Sequence, residues 1–400
     1  MKKLALIISG LFIALTINAQ TELWGATLQG GQHQAGVIFK TDGSGNNFSV
    51  KHDFDSINGN IPFGPLLLAL DGKLYGVTTA GGLHDKGVLF QYNLITNTYT
   101  KKVDFDGLVL GSEPTGLIQA TDGNMYGVTI SGGAYGLGIL FQYNPVTNSL
   151  INKLDFDGTV KGSVPLSQLI QASNGMIYGT TLLGGINNKG VLFQYDIMTN
   201  IYNKKIDFNG SINGTNPSGK LLQASDGLLY GLTGMGGGND MGVLFQFDPN
   251  NNTCLSKIDF DGIAKGKNPN NGSLIQCIDG KIYGYAKQGG INDLGTMFQF
   301  DPLTNIFIKK IDFDGNNGGN PTGSLIQATD GMIYGMTQIG GLSSGVGAGL
   351  LFQFDPVTNG YVKKKDFNFT DGSLPTFQLV EVSSTPTNIK KQINSDNLSL

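Results

Sequence analysis

The segment LYGVTTAGGLHDKGVLFQYNLITNTYTKKVDFDG, residues 74–107, holds three short runs of aliphatic, β-branched and aromatic residues. Gly81-Gly82 separates the first two runs and Asn93-Leu94-Ile95-Thr96-Asn97 the last two, so the segment reads as three strands joined by turns. No run has helical spacing. The aromatic-Gly pair at its start returns as Trp24-Gly25, Tyr126-Gly127, Tyr178-Gly179, Tyr230-Gly231, Tyr283-Gly284 and Tyr334-Gly335, so with Tyr75-Gly76 there are seven copies at steps of 51, 51, 52, 52, 53 and 51 residues.

Four further landmarks keep the same order. A Gly-Gly pair begins at Gly30, Gly81, Gly132, Gly184, Gly236, Gly289 and Gly340, and a Phe-Gln-aromatic triplet follows, with Lys40 in place of Gln in the first copy. Next comes Asp-Phe at Asp53, Asp104, Asp155, Asp207, Asp259, Asp312 and Asp366, then Pro62, Pro114, Pro165, Pro217, Pro269, Pro321 and Pro375. In the sixth copy the pattern predicts strand a over 273–278, a tight turn at Asp279-Gly280, strand b over 281–286, strand c over 296–300 and strand d over 307–313. Strand c of the fifth copy is apolar on both faces, Val243, Phe245 and Phe247 on one and Leu244 on the other, as in a sheet covered on both sides. A four-stranded antiparallel unit repeated every 50 or so residues is the pattern of an all-β seven-bladed β-propeller.

The chain ends separate a ring from an open solenoid. The first copy begins in strand b, at Glu22-Leu23-Trp24-Gly25, and Leu379-Val380-Glu381-Val382 aligns with Leu325-Ile326-Gln327-Ala328 of strand a and stops there. A ring closed by one blade built from both ends, strands b to d from 22–54 and strand a from 376–382, leaves no sheet edge exposed at the seam.

Composition agrees with a folded β protein. Gly supplies 61 of 400 residues but Pro only 13, and 40% of the chain is hydrophobic, which excludes collagen-like and disordered readings. All 26 basic residues are Lys, and the net charge is -4. A chain without guanidinium groups and with net negative charge offers little to a nucleic acid, and none is expected as a partner.

Residues 1–19 read as a signal peptide: Lys2-Lys3, a mostly apolar run Leu4 to Ile17 too short to span a bilayer, then the small Ala19. No later stretch is long and apolar enough to cross a membrane, so an extracellular or outer-surface location is expected. The domain reading is 1–19 signal peptide, 20–382 propeller and 383–400 a polar linker or the start of a truncated sorting domain.

The motifs Leu-Tyr-Gly-Val-Thr, Gly-Gly, Gly-Val-Leu-Phe-Gln-Tyr and Asp-Phe-Asp-Gly resemble those of the GloVer-type (Gloeo_Verruco) tandem repeat family of bacterial extracellular proteins, over about residues 22–382. The resemblance implies secreted or surface placement and a propeller-like fold, and it carries over no catalytic residues. Ser395-Asp396-Asn397-Leu398-Ser399-Leu400 resembles the lead-in to a type IX secretion sorting domain, without the Tyr-Pro-Asn-Pro-like segment that would follow.

Few residues suggest chemistry. His33, His52 and His84 lie in the first two copies at unmatched positions and read as surface imidazoles, not a zinc site. The repeated Asp-Phe-Asp-Gly lacks the closing Glu of a calcium loop, since Glu occurs only at 22, 113 and 381, so its Asp residues are assigned to turns and backbone capping, and no metal or cofactor is expected. Inner-strand positions Gln119, Gln171, Gln223, Gln276 and Gln327 form an amide series broken by Leu68 and Glu381; hydrogen bonding in or beside the central channel explains the amides, and Glu381 is the one weak catalytic candidate. Cys254 and Cys277 replace apolar core positions on different blades and are expected as two free, buried thiols. The repeated Tyr and Phe, and Trp24, are assigned to inter-blade packing.

Turns a–b and c–d should emerge on one face, loops b–c and d–a on the other. Variation concentrates in the b–c loops, including an insertion at 343–347, and loops on a rigid scaffold are where binding is grafted. The function expected is non-catalytic binding or adhesion to glycan or a surface protein by a monomer, with Asp85, Tyr135, Asn187, Asn239, Asp240, Asn292 and Asp293 as contacts. The alternative is an extracellular polysaccharide hydrolase or lyase.

Overall fold

In a computed structural model, which describes residues 21–269, 272–341, 347–375 and 378–383, every regular element is a strand. Blades are numbered by repeat copy, and in each the strand order from the axis outward is a, b, c, d. Blade 2 is typical: Asn60–Pro62 and Leu67–Leu68 form strand a, Leu74–Ala80 strand b, Val88–Asn93 strand c and Thr98–Asp104 strand d. Blade 1 closes the ring as the chain ends require: Ser373–Pro375 and Val380–Ser383 form its strand a and pair with Thr21–Gln29, with Leu23 opposite Glu381. Residues 1–19, read from sequence as a signal peptide, and the tail beyond Ser383 lie outside the described residues, as does most of the 343–347 insertion.

The predicted outer three strands of blade 6 match to within a residue, at Ile282–Ala286, Thr296–Phe300 and Phe307–Asp312. Its strand a differs: only Ile275–Gln276 pairs with strand b, while Gly272–Ser273 pairs in parallel with Gly323–Ser324 of blade 7. The shortening follows from loop length. Blade 3 has only Thr115-Gly116 between the repeat Pro and Leu117, and its strand Ser112–Gln119 is unbroken; blade 6 has four residues in that interval and breaks.

Seven apolar clusters hold the ring, one for each pair of neighbouring blades. The seam has its own: Leu23 and Phe39 of blade 1 pack with Tyr334, Met336 and Leu351 of blade 7, and Leu379 completes the cluster. Each side chain of this size buried on folding contributes roughly 1.5–3 kcal/mol. Val243, Leu244, Phe245 and Phe247 are all fully buried, as their two-sided pattern predicts.

Two backbone devices repeat at every blade junction. The residue before each Pro, from Ile61 to Leu374, has φ between 49° and 59° and donates its N–H to the b–c loop of the preceding blade, as Ile61 to Ala35 O and Asn268 to Met241 O. The Pro ring then lies over the Gly that begins strand c there: a Cβ on Gly242, which has φ 98°, would come within 2.6 Å of Pro269 Cδ and 2.4 Å of Thr233 O. Asn tolerates this left-handed conformation at 216, 268 and 320, whereas β-branched residues do not, so Ile61 and Val164 are strained. Val164→Asn is therefore expected to stabilise the protein by about 1 kcal/mol, read as a higher urea midpoint at unchanged m-value.

Strand d protects the outer edge. In every blade its register against strand c slips by one residue, and the skipped residue is always Lys: Lys51, Lys102, Lys153, Lys205, Lys257, Lys310 and Lys364. A bulge carrying a charge disfavours edge-to-edge pairing with another sheet.

Candidate functional site

The b–c loops are held by their own polar groups. After each Gly-Gly the chain would leave its N–H groups exposed, and the Asp of Asp-Phe reaches back to cap one: Asp104 accepts from Leu83 N at 2.7 Å, Asp207 from Ile186 N at 2.9 Å and Asp312 from Ile291 N at 3.1 Å. Asp85, Asp240 and Asp293, all at positive φ, accept from the first Gly N–H of their loops at 2.8, 2.9 and 2.8 Å. Asn187, Asn239 and Asn292 donate to the carbonyls of Phe208, Phe260 and Phe313 at 2.9, 3.0 and 3.2 Å. Six of the seven predicted contact residues thus spend hydrogen-bonding capacity on holding the loop. Tyr135 is different, with its ring 62% exposed.

The second Gly of each pair donates its N–H to the preceding d–a loop, as Gly82 to Ser56 O, Gly133 to Leu108 O and Gly290 to Gly262 O. This bond brings the two loop types together on one face, as strand order requires. The loops so joined carry exposed apolar side chains: Ile57 and Leu83, Leu108 and Tyr135, Val160 and Ile186, and Ile263 and Ile291, each of the eight more than half exposed. Ile212 and Phe369 extend the series. Sequence reading missed these residues because it looked for polar contacts. The signal was present, since aliphatic residues recur directly after Gly-Gly at 83, 186 and 291 and shortly after Asp-Phe at 57, 108, 160, 212 and 263, in loops where turn chemistry calls for polar ones.

The central channel offers less room than the amide series suggested. It is lined by Phe63, Pro65, Leu166, Gln168, Lys220 and Ser273, among others, and its cavity of about 40 Å³ holds a few waters but no sugar ring. The repeated amides do not line it. Gln223 Oε1 accepts from Ser173 N of the preceding a–b turn at 2.7 Å while its Nε2 donates to Gly227 O of its own turn at 3.0 Å, and Gln119, Gln171, Gln276 and Gln327 do the same. They join neighbouring blades at the turn end of strand a.

Both exceptions to the series fall beside the seam. Strands a and b of blade 1 come from opposite ends of the chain with no turn between them, so an amide at 68 would have no preceding turn to accept from, and Leu68 stands there. Glu381 has no turn of its own to donate to, and a group that only accepts is sufficient: its carboxylate takes Thr329 N at 3.0 Å and Thr329 Oγ1 at 2.6 Å. Glu381 is 6% exposed and lies in strand a, away from the loop face.

His52 is not the surface imidazole expected. It takes the register of Val103 and Leu154 in strand d, stacks on Tyr99 with ring centroids 4.0 Å apart, and its Nε2 is buried. Burial holds its pKa below the usual value, partly offset by Asp55 and Asp53. A depressed imidazole stays neutral in the fold while the unfolded chain takes a proton near pH 6.5, so stability falls as pH drops below that value. His52→Val should therefore flatten the melting-temperature profile between pH 7.5 and 5, with the gain confined to the acid side.

Cys277 is buried as expected, but Cys254 is only half-buried; both are free thiols. Burial pushes Cys254 up to about 12 and Cys277 higher, so neither is a thiolate nucleophile at neutral pH. The phenols of Tyr75, Tyr126, Tyr230, Tyr283 and Tyr334 are raised by burial and by the a–b turn Asp to which they donate, as in Tyr126 to Asp122 at 2.8 Å. No three potential metal ligands converge among the described residues. No helix among the described residues is long and apolar enough to cross a membrane.

Solved structures share the architecture at low identity. A putative 6-phosphogluconolactonase of Bacteroides fragilis is 16% identical with a TM-score of 0.62, the match covering 92% of this chain and 99% of that one. The periplasmic gluconolactonase of Pseudomonas aeruginosa is 14% identical with a TM-score of 0.61, covering 91% and 100%. Likeness at this level carries the fold alone. No curated protein matches the chain. The Gloeobacter/Verrucomicrobia repeat matches residues 12–116, 105–272 and 235–394, together nearly the whole chain, and the protein belongs to that family.

Proposed function

We propose that this chain is an exported, non-catalytic binding module that engages its partner through the b–c and d–a loop face. The observation that carries this reading is the set of exposed apolar side chains on loops joined by backbone hydrogen bonds, Ile57, Leu83, Ile263 and Ile291 among them. The loop carboxylates and amides are exposed but engaged in holding the loops, and apolar side chains project beside them. Such a surface suits a protein partner better than a polar glycan. Export rests on the order of charged, apolar and small residues in 1–19.

The test is a parallel array of glycans and of extracellular bacterial proteins, probed with the parent and with the triple variant Leu83→Asp, Ile186→Asp, Ile291→Asp. Protein hits should weaken at least tenfold in the variant, since truncating a central apolar contact costs more than about 1 kcal/mol, while its melting temperature stays within a degree or so of the parent. Glycan hits that survive the triple substitution would overturn the assignment of the face.

A further inference from the structure

The opposite face, formed by the a–b and c–d turns, has a different chemistry. The turns carry ten Asp, at 71, 122, 226, 279 and 330 in a–b and at 42, 196, 248, 301 and 355 in c–d, against only Lys73 and Lys281. That imbalance exceeds the net charge of the whole chain, -4, so the rest of the chain is net positive and the negative charge is concentrated here. The Lys281–Asp301 ion pair at 2.6 Å shows that the two kinds of turn lie together on this face. Turn N–H and hydroxyl groups bonded to Asp196 and Asp355 hold these carboxyls below the usual range, so they remain ionised well into acid.

The same face projects a ring of aliphatic tips. Ile95, Val146, Met198, Leu303 and Val357 occupy one register of the c–d turn in five blades and are 82–87% exposed. Nothing in the turn needs them. Asp301 Oδ1 accepts from Leu303 N, and Asn305 supplies the positive φ, both independent of the Leu303 side chain. Ile278, in an a–b turn, is 94% exposed.

We propose that the turn face is a second docking surface, whose occupant is a cationic, amphipathic polypeptide segment. The charge sets the choice: acid at this density attracts Lys- and Arg-rich chains and repels the anionic surface of a bilayer, while the aliphatic tips give the apolar side of such a segment something to bury against. A divalent metal is a poorer fit, since no three acids converge among the described residues.

Blade 4 supplies the control. Its a–b turn has Asn174 where five others have Asp, and Asn174 keeps the same geometry, accepting from Met176 N at 3.1 Å and donating to Tyr178 Oη at 3.0 Å. The triple variant Asp226→Asn, Asp279→Asn, Asp330→Asn should therefore fold, and the variant Met198→Ser, Leu303→Ser, Val357→Ser changes only exposed tips. The probes are a synthetic Lys/Leu amphipathic 18-mer, its Glu/Leu counterpart, and vesicles of phosphatidylserine and phosphatidylcholine, each titrated against the full mature chain at 50 and 300 mM NaCl. The expected result is that the cationic peptide alone binds, that raised salt weakens it, and that each triple variant weakens it at least fivefold with melting temperature unchanged. The loop-face triple variant should bind the peptide as the parent does, which keeps this proposal separate from the preceding one. Equal binding by parent and both turn variants, binding to the anionic vesicles, or no binding to the cationic peptide would overturn it.

Discussion

Removal of residues 374–400 is expected to abolish cooperative folding, whereas removal of 384–400 should leave the melting temperature unchanged. The first deletion takes out Val380–Ser383 and two of the three residues of Ser373–Pro375, the inner strand of blade 1, and exposes the backbone of Thr21–Gln29 over most of its length. Leu379 and Val382 leave the apolar clusters on the two sides of blade 1, and the Thr329 donors lose Glu381. Two buried aliphatic side chains are worth about 3–6 kcal/mol together, a large part of the roughly 5–15 kcal/mol that holds a typical folded domain. Circular dichroism melts of the three chains decide the matter. Equal melting of all three would mean that the ring is not closed by this strand.

Gly242→Ala should cost about 3 kcal/mol, where Gly227→Ala costs about 1 kcal/mol. Both glycines have positive φ, 98° and 81°, so both substitutions bear the conformational penalty. Only Gly242 meets the next blade: an added Cβ comes within 2.6 Å of Pro269 Cδ, while nothing lies within 4 Å of the site at Gly227. The difference between the two variants in a urea titration therefore reports the crowding at Gly242, from Pro269 of the next blade together with Thr233 O of its own. Equal costs would show that the junction yields and that the repeat Pro is not a packing element.

Much of the ring was legible in the sequence because each landmark is a contact between blades. The Pro, the Gly before strand c and the buried Phe of Asp-Phe recur because every junction uses them in the same way. The inner amides were placed beside the channel because spacing fixes their strand and leaves open which neighbouring group each side chain reaches. Their exceptions held the missing information: Leu68 and Glu381 both lie beside the one blade without an a–b turn. His52 was misread for a related reason. Compared with other His residues it is scattered, but compared with its repeat register, which holds Val103 and Leu154, it is a core position.

The candidate site was legible only in its location. The loops named in the sequence are the loops that vary, but Asp85, Asp240 and Asp293 are engaged within their own loops and Asn187, Asn239 and Asn292 on the carbonyls that follow strand d. A polar residue in a loop can serve a partner or its own backbone, and composition does not separate the two. Aliphatic residues at loop tips have no backbone use, which makes Leu83, Ile186 and Ile291 the more informative residues.

Binding without turnover is the central claim, and a turnover assay tests it most directly. The purified protein and Glu381→Gln are incubated with a panel of polysaccharides and sugar lactones and read for new reducing ends, unsaturated products and released acid. The account predicts no product above the protein-free blank for either protein, and the same melting temperature for both, because Gln at 381 keeps an acceptor for Thr329. Turnover by the parent that disappears in Glu381→Gln would contradict it and move the active centre to the inner strand of blade 1.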